Sequence, residues 1–261
     1  MIAHMEKWAL VTGASSGIGY AVASRLADLG YNIMMVSRTA EKLDKAAGML
    51  GEDHKGLTVV SVAMDLAVPG AAEKLFALTT ERGIVPEVLV NDAGMFLYEN
   101  VLDTPAEKLS EMVLLHNLTV TMMCRLYGEA MAKRGSGRIL NLSSYSVFMP
   151  YPGLAEYSST KEYIRAFSKA FRKEVRPLGV TVTTAAPAGV DTDLMGLPEN
   201  IRSLARKMGF LMKPSTAAKR LVRATLRGRK FIVPGVYNYI WVPFLPLFSP
   251  VSSFILNRRK K

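Results

Sequence analysis

Trp8-Ala-Leu-Val-Thr12-Gly13-Ala14-Ser15-Ser16-Gly17-Ile18-Gly19, running on into Tyr20-Ala-Val-Ala-Ser-Arg-Leu-Ala27, is the stretch from which the fold is read. An apolar run of strand length meets a glycine turn, and the turn opens into a segment with helical periodicity. That order sets free backbone N–H groups, at the positive end of a helix, where a diphosphate can rest on them. Gly13 permits the tight turn, Gly17 lets the backbone approach phosphate, and Gly19 lets helix and strand pack closely. The spacing, G-x-x-x-G-x-G, differs from the G-x-G-x-x-G of the broader dinucleotide fingerprint.

The same alternation continues along the chain. Apolar runs at 8–11, 33–36, 57–63, 87–90, 138–142, 180–186 and 231–233 alternate with helical periodicities at 18–29, 40–50, 70–82, 105–133, 155–176 and 214–227. Such a pattern predicts right-handed crossovers and a doubly wound parallel sheet covered on both faces, an α/β fold. Strands buried on both sides read as continuous apolar runs, as these do. The 261 residues suit a single domain with a sizeable core, and no repeat or low-complexity linker divides them.

A second set of residues carries chemistry. Tyr157-Ser-Ser-Thr-Lys161 puts a phenol and an ammonium four residues apart, on one face of a helix. A free tyrosine, with a pKa near ~10, is a poor acid or base at neutral pH. A neighbouring cation in a partly dry cleft is expected to lower it. Ser144, which follows the apolar run Arg138-Ile-Leu-Asn-Leu-Ser143, is placed to hold a carbonyl oxygen beside the phenol.

Together these motifs resemble a short-chain dehydrogenase/reductase of the compact type, from Lys7 to about Pro234. Thr12-Gly13-Ala14-Ser15-Ser16-Gly17-Ile18-Gly19 is similar to the family's T-G-x-x-x-G-I-G, and Asn91-Asp92-Ala93-Gly94 to its N-N-A-G. Asn117 falls where the family keeps a catalytic asparagine, and Ser144, Tyr157 and Lys161 fit its Ser-Tyr-Lys set. Pro187-Ala-Gly189-Val190-Asp-Thr192 is similar to P-G-x-V-x-T, which the resemblance sets against a nicotinamide. Asp92 in place of asparagine and Ala188 in place of glycine are the departures; neither removes a reacting group. The resemblance implies a Rossmann-like fold and dimers or tetramers. It also implies a nicotinamide cofactor in contact with Gly13, Ser15, Ser16, Gly17, Ile18, Gly19, Asn91, Ala93, Gly94, Tyr157, Lys161, Pro187, Gly189, Val190 and Thr192. Asp65-Leu66 resembles the family's adenine-contacting pair, although Asp65 also reads as a cap before Pro69.

The second strand ends Val36-Ser37-Arg38. A carboxylate there would grip a ribose 2′-hydroxyl and repel a 2′-phosphate. An uncharged Ser37 followed by the Arg38 guanidinium favours NADP(H) instead. The alternative is an arginine stacked on adenine.

Charge is unevenly distributed. Residues 1–160 carry 13 Lys or Arg against 17 Asp or Glu, whereas residues 161–261 carry 20 against 5. Phe231 to Asn257 carries no charge, and Arg258-Arg-Lys-Lys261 closes the chain. Pro243, Pro246 and Pro250 disfavour a continuous spanning helix, so the tail, about 235–261, is expected to lie on an anionic membrane surface. Covering the cleft or a partner subunit is the competing role. Residues of about 194–213 read as a substrate lid, with Leu197, Ile201, Leu204, Ala205 and Met208 at helical spacing. Arg202, Arg206 and Lys207 fall on its other faces, expected to meet phosphate or lipid.

Other functions lack support. His4, His54 and His116 are scattered, so neither a histidine metal cluster nor a Ser-His-Asp triad is apparent. The net charge of +11 comes without a nucleic-acid recognition motif. A single cysteine, Cys124 in an apolar helical stretch, reads as a core thiol. With no secretory signal before the first strand, it fits a reducing cytoplasmic compartment.

The expected reaction is reversible reduction of a ketone. Tyr157 donates the proton, Lys161 tunes it and by resemblance holds the nicotinamide ribose, and Ser144 binds the developing alkoxide. By resemblance, Asn117 orders a water that resupplies the proton. Expected substrates are a lipid-like ketone, such as a steroid or long-chain keto-lipid, or a beta-ketoacyl group on an acidic carrier protein or CoA. A catalytically silent nicotinamide-binding regulator would gain nothing from keeping all four residues.

Overall fold

The computed structural model describes residues 6–149, 151–196, 199–207 and 211–235. Seven strands among them form one parallel sheet: β1 (Trp8–Thr12), β2 (Asn32–Ser37), β3 (Val59–Ala63), β4 (Val88–Asn91), β5 (Gly137–Leu142), β6 (Val180–Ala185) and β7 (Phe231–Ile232). Their order is β3-β2-β1-β4-β5-β6-β7. Successive side chains point to opposite faces, and β1 shows what each face meets. Ala9 and Val11 pack with Val22, Leu26 and Leu221 of α1 (Gly17–Ala27) and α8 (Pro214–Leu226). Trp8 and Leu10 pack with Leu75, Met123 and Tyr127 of α3 (Ala71–Glu81) and α5 (Thr119–Arg134). Both faces of the strand are buried, which explains the unbroken apolar strands. α2 (Ala40–Asp53) completes the first layer, where Leu43 and Leu50 are fully buried, and α6 (Ala155–Val175) lies on the second.

β1 pairs with β2 on one side and β4 on the other. The winding reverses there, and a ligand crevice opens at the carboxyl ends of the strands on either side of such a point. The helix expected over 105–133 is instead α4 (Ala106–Val113), a π-helical turn (Leu114–Leu118) and α5. π-Turns of this kind recur at functional sites, and this one carries His116 and Asn117. α7 (Glu199–Lys207) lies within the expected lid. The tail from residue 236 lies outside the described residues, as do Leu197 and Met208 of the lid. No helix among the described residues is long and apolar enough to cross a membrane.

Candidate active site

The glycine turn is fixed by contacts that leave no room for a side chain. Thr12 Oγ1 donates to the Val90 carbonyl (3.2 Å) and accepts from the N–H groups of Asp92 (3.0 Å) and Ala93 (3.1 Å), stitching β1 to β4 beneath the turn. Gly13 takes a φ of 69°, and a Cβ there would stand 2.9 Å from the Ala93 nitrogen. On Gly19 a Cβ would collide with the Gly13 carbonyl oxygen. Ser15 and Ser37 share a hydroxyl–hydroxyl hydrogen bond of 2.9 Å, tying the turn to the end of β2.

Above the carboxyl ends of the strands lies a cleft of about 710 Å³. Gly13, Ser16, Gly17 and Ile18 line one part, with Arg38 and Lys42 beside them. Gly94, Ser144, Tyr157 and Lys161 line another, facing Pro187, Gly189, Val190 and Thr192. The expected glycine turn, Ser-Tyr-Lys set and proline segment therefore share one cavity. Met95, Phe96, Met149 and Leu154 give it an apolar wall. These four sit around Tyr157 in a small apolar cluster of their own.

Tyr157 is buried on α6, hydrogen-bonded to the Ser144 side chain. Phe96 meets its ring edge-on with centroids 4.9 Å apart. Burial pushes the phenol up to about 12, against the pull of the Ser144 hydrogen bond, and the Asp92 charge raises it further. The expected lowering by Lys161 is not seen. Its Nζ stands 5.8 Å from the Tyr157 ring centroid and donates to the Leu142 carbonyl at 3.2 Å. Burial brings the ammonium down to about 8, opposed by the Asp92 carboxylate. Desolvation thus outweighs pairing at both groups.

Asn117 does not line the cleft, but its Oδ1 is buried without a hydrogen-bond partner. His116 is fully buried beside it. Its Nε2 accepts from the Met95 N–H (3.1 Å), so Nδ1 carries the proton and donates to Thr160 Oγ1 (2.9 Å). Burial holds its pKa well below the usual imidazole value, so it is a neutral packed residue.

Several predicted residues do not line the cleft. Asn91 turns into the core and donates to Asn141 Oδ1 at 2.8 Å, near buried Cys124. Asp65 Oδ1 accepts from the Ala67 N–H at 2.9 Å, while the buried Leu66 presents its carbonyl to Thr119 at 2.7 Å. Ser15, Gly19, Ser37 and Ala93 support the turn and likewise do not line the cavity. Lys42 and the Met95-Phe96 wall are cleft residues that the sequence reading missed. Lys42, four residues after Arg38 at the start of a helix, had a usable signal in its spacing. The apolar run Met95-Phe96-Leu97-Tyr98 had another.

Two of the basic lid residues, Arg202 and Arg206, are paired with carboxylates. Arg202 Nη2 lies 2.7 Å from Asp191 Oδ1, and Arg206 Nη1 lies 2.6 Å from Asp191 Oδ2. Arg202 also pairs with Asp193, and Arg206 with Glu199. Arg206 first, then Arg202, holds the Asp191 carboxyl below its ordinary value. No group of three metal-ligating side chains occurs among the described residues.

The sequence pattern of the family described as "short chain dehydrogenase" matches residues 7–200. The chain belongs to that family. Over 194 residues this short-chain dehydrogenase is 35% identical to the very-long-chain 3-oxoacyl-CoA reductase of Bos taurus. The match covers 73% of the chain and 61% of the bovine protein, so it spans less than two thirds of that relative. Among solved structures it resembles a 7beta-hydroxysteroid dehydrogenase (TM-score 0.80, 27% identity, 90% of each chain). It also resembles an alcohol dehydrogenase from the archaeon Thermococcus sibiricus complexed with 5-hydroxy-NADP (TM-score 0.76, 26% identity, 87% of this chain and 95% of that one).

Proposed function

We propose that this short-chain dehydrogenase is an NADP(H)-dependent ketoreductase acting on the 3-oxo group of a long acyl thioester. One observation carries the reading. The Ser144–Tyr157 hydrogen bond faces, within a single cleft, both the glycine turn and an apolar wall. The bovine relative's name favours an acyl-CoA over the steroid or other keto-lipid that the apolar wall also suits. A steroid ketone is the second reading, favoured by the likeness to the hydroxysteroid dehydrogenase.

The site fits the cofactor. The glycine turn lining the cleft at Gly13 and Gly17, N–H groups at the start of α1, and the cations Arg38 and Lys42 suit a diphosphate and a 2′-phosphate. Pro187, Gly189, Val190 and Thr192 would flank the nicotinamide, and Lys161 would hold its ribose. NADPH, when bound, supplies the hydride. The residues supply the rest. Ser144 Oγ, itself accepting from the Ser146 N–H at 3.1 Å, holds the ketone oxygen beside the phenol. Tyr157, fully protonated at neutral pH with its pKa near 12, is in the form that donates a proton to that oxygen. The Lys161 ammonium stabilises the phenolate left behind. Asn117, through its unpartnered Oδ1, orients the water that restores the proton. Loss of NADPH absorbance with a panel of 3-oxoacyl-CoA, steroid and long-chain ketones tests the reading.

The protein also docks peripherally on anionic membranes in this account. Lys219, Arg220, Arg223 and Arg227 are exposed on α8 opposite its buried Ala217, Ala218, Leu221 and Val222. The uncharged tail follows in sequence with Tyr237, Tyr239, Trp241, Phe244, Phe248 and Phe254, residue types suited to the headgroup boundary. Flotation with liposomes should rise with anionic lipid and fall with salt. Val113, Leu118 and Tyr163, exposed on α4, the π-turn and α6, support a homo-oligomer.

A further inference from the structure

Arg38 directly follows β2 and lines the cleft beside the glycine turn. Its guanidinium is engaged from outside that cleft. Nη1 donates to Glu111 Oε1 at 3.1 Å, on α4, a helix that contributes nothing to the cleft wall. Lys108, one turn earlier on α4, brings Nζ within 2.7 Å of the other carboxylate oxygen. Met112, the next residue, is fully buried in the apolar cluster around Tyr157, which anchors α4 and with it the carboxylate. Arg38 is the movable partner, its side chain 67% exposed against 23% for Glu111.

We propose that Glu111 is a specificity-determining residue for the cofactor: it competes with the 2′-phosphate for the Arg38 guanidinium and so lowers the preference for NADPH over NADH. This rests on the reading of Arg38 as the receptor of that phosphate. Carboxylate and phosphate oxygens take the same guanidinium N–H donors, so NADPH must draw Arg38 away from Glu111. Lys108 eases the exchange. When Arg38 turns to the phosphate, Glu111 keeps a cation at 2.7 Å and is not left unpaired. Lys108 also holds the Glu111 carboxyl below its ordinary value, so it is charged at neutral pH. NADH brings no 2′-phosphate and leaves the pair intact. Because Arg38 is exposed, the competition is worth what an exposed ion pair is worth, roughly two- to fivefold in affinity.

Fluorescence titration of the full chain with NADPH and NADH at low ionic strength tests this, using Glu111→Gln, Arg38→Ala and the double variant. Glu111→Gln keeps the size of the side chain and removes its charge. NADPH should then bind roughly two- to fivefold more tightly, with NADH nearly unchanged. The gain should shrink at high salt and vanish when Arg38 is replaced by alanine. Unchanged or weaker NADPH binding by Glu111→Gln overturns the proposal. So does an equal gain in the Arg38→Ala background, since the carboxylate would then act on the phosphate without the arginine. If Arg38→Ala weakens both cofactors alike, the reading of Arg38 fails and the proposal falls with it. If Arg38→Ala weakens NADPH only and Glu111→Gln leaves the NADPH-to-NADH ratio unmoved, that reading stands and the role of Glu111 is refuted.

Discussion

Glu111 Oε1 of α4 lies 3.1 Å from Arg38 Nη1, 73 residues away in the chain, and its other oxygen lies 2.7 Å from Lys108 Nζ. The guanidinium proposed to receive a 2′-phosphate is therefore held at the cleft edge by a carboxylate. The pair is exposed on the arginine side and holds Arg38 only weakly, since ion pairs in water contribute little. A phosphate can displace it.

Arg38→Ala should weaken NADPH binding by about 1.5–3 kcal/mol, the usual loss for a hydrogen bond to a charged group. That is roughly ten- to a hundredfold, with NADH binding nearly unchanged. Fluorescence titration of both cofactors checks it. Equal losses for both would place the 2′-phosphate elsewhere.

Gly19→Ala tests the packing of the turn. Its methyl group would meet the Gly13 carbonyl and the Asp92 carboxylate, and overpacking of that kind costs about 1–3 kcal/mol. Thermal unfolding should show a lower Tm, and cofactor titration a weaker site. A variant with native Tm and affinity would mean that the turn yields at little cost.

The lid offers a pH test. Asp191 is held below the ordinary carboxylate value by Arg206 and Arg202, so its contribution to anchoring α7 is present above about pH 4. It is lost as pH falls through the lower folded value. Asp191→Asn removes it at neutral pH, and trypsin should then cut faster at Arg202, Arg206 or Lys207. Cleavage at the unsubstituted rate would show that other contacts hold α7.

The sheet was legible because buried parallel strands leave unbroken apolar runs, as in Trp8–Val11 and Ile33–Val36. The cleft was legible through Gly13, Gly17, Ser144, Tyr157 and Lys161, whose spacings follow from helix and turn geometry. The π-turn at Leu114–Leu118 was not, because one added residue per turn leaves the apolar periodicity of α4 and α5 almost intact. Nor was the phenol's raised pKa, since burial depends on chain segments far apart in sequence: Phe96 and Ser144 meet Tyr157, and the Asp92 charge acts on it. The pairing of Arg202 and Arg206 with Asp191 was hidden in the same way, between segments read separately.

The most direct measurement is NADPH-dependent reduction of a long-chain 3-oxoacyl-CoA by the full chain and by Tyr157→Phe. The substitution deletes the proton donor and leaves the ring packed edge-on against Phe96. The account predicts turnover with NADPH by the full chain, a fall of about a hundredfold or more in Tyr157→Phe, and cofactor affinity nearly unchanged. Turnover of Tyr157→Phe within about tenfold of the full chain, with the same cofactor affinity, would contradict it.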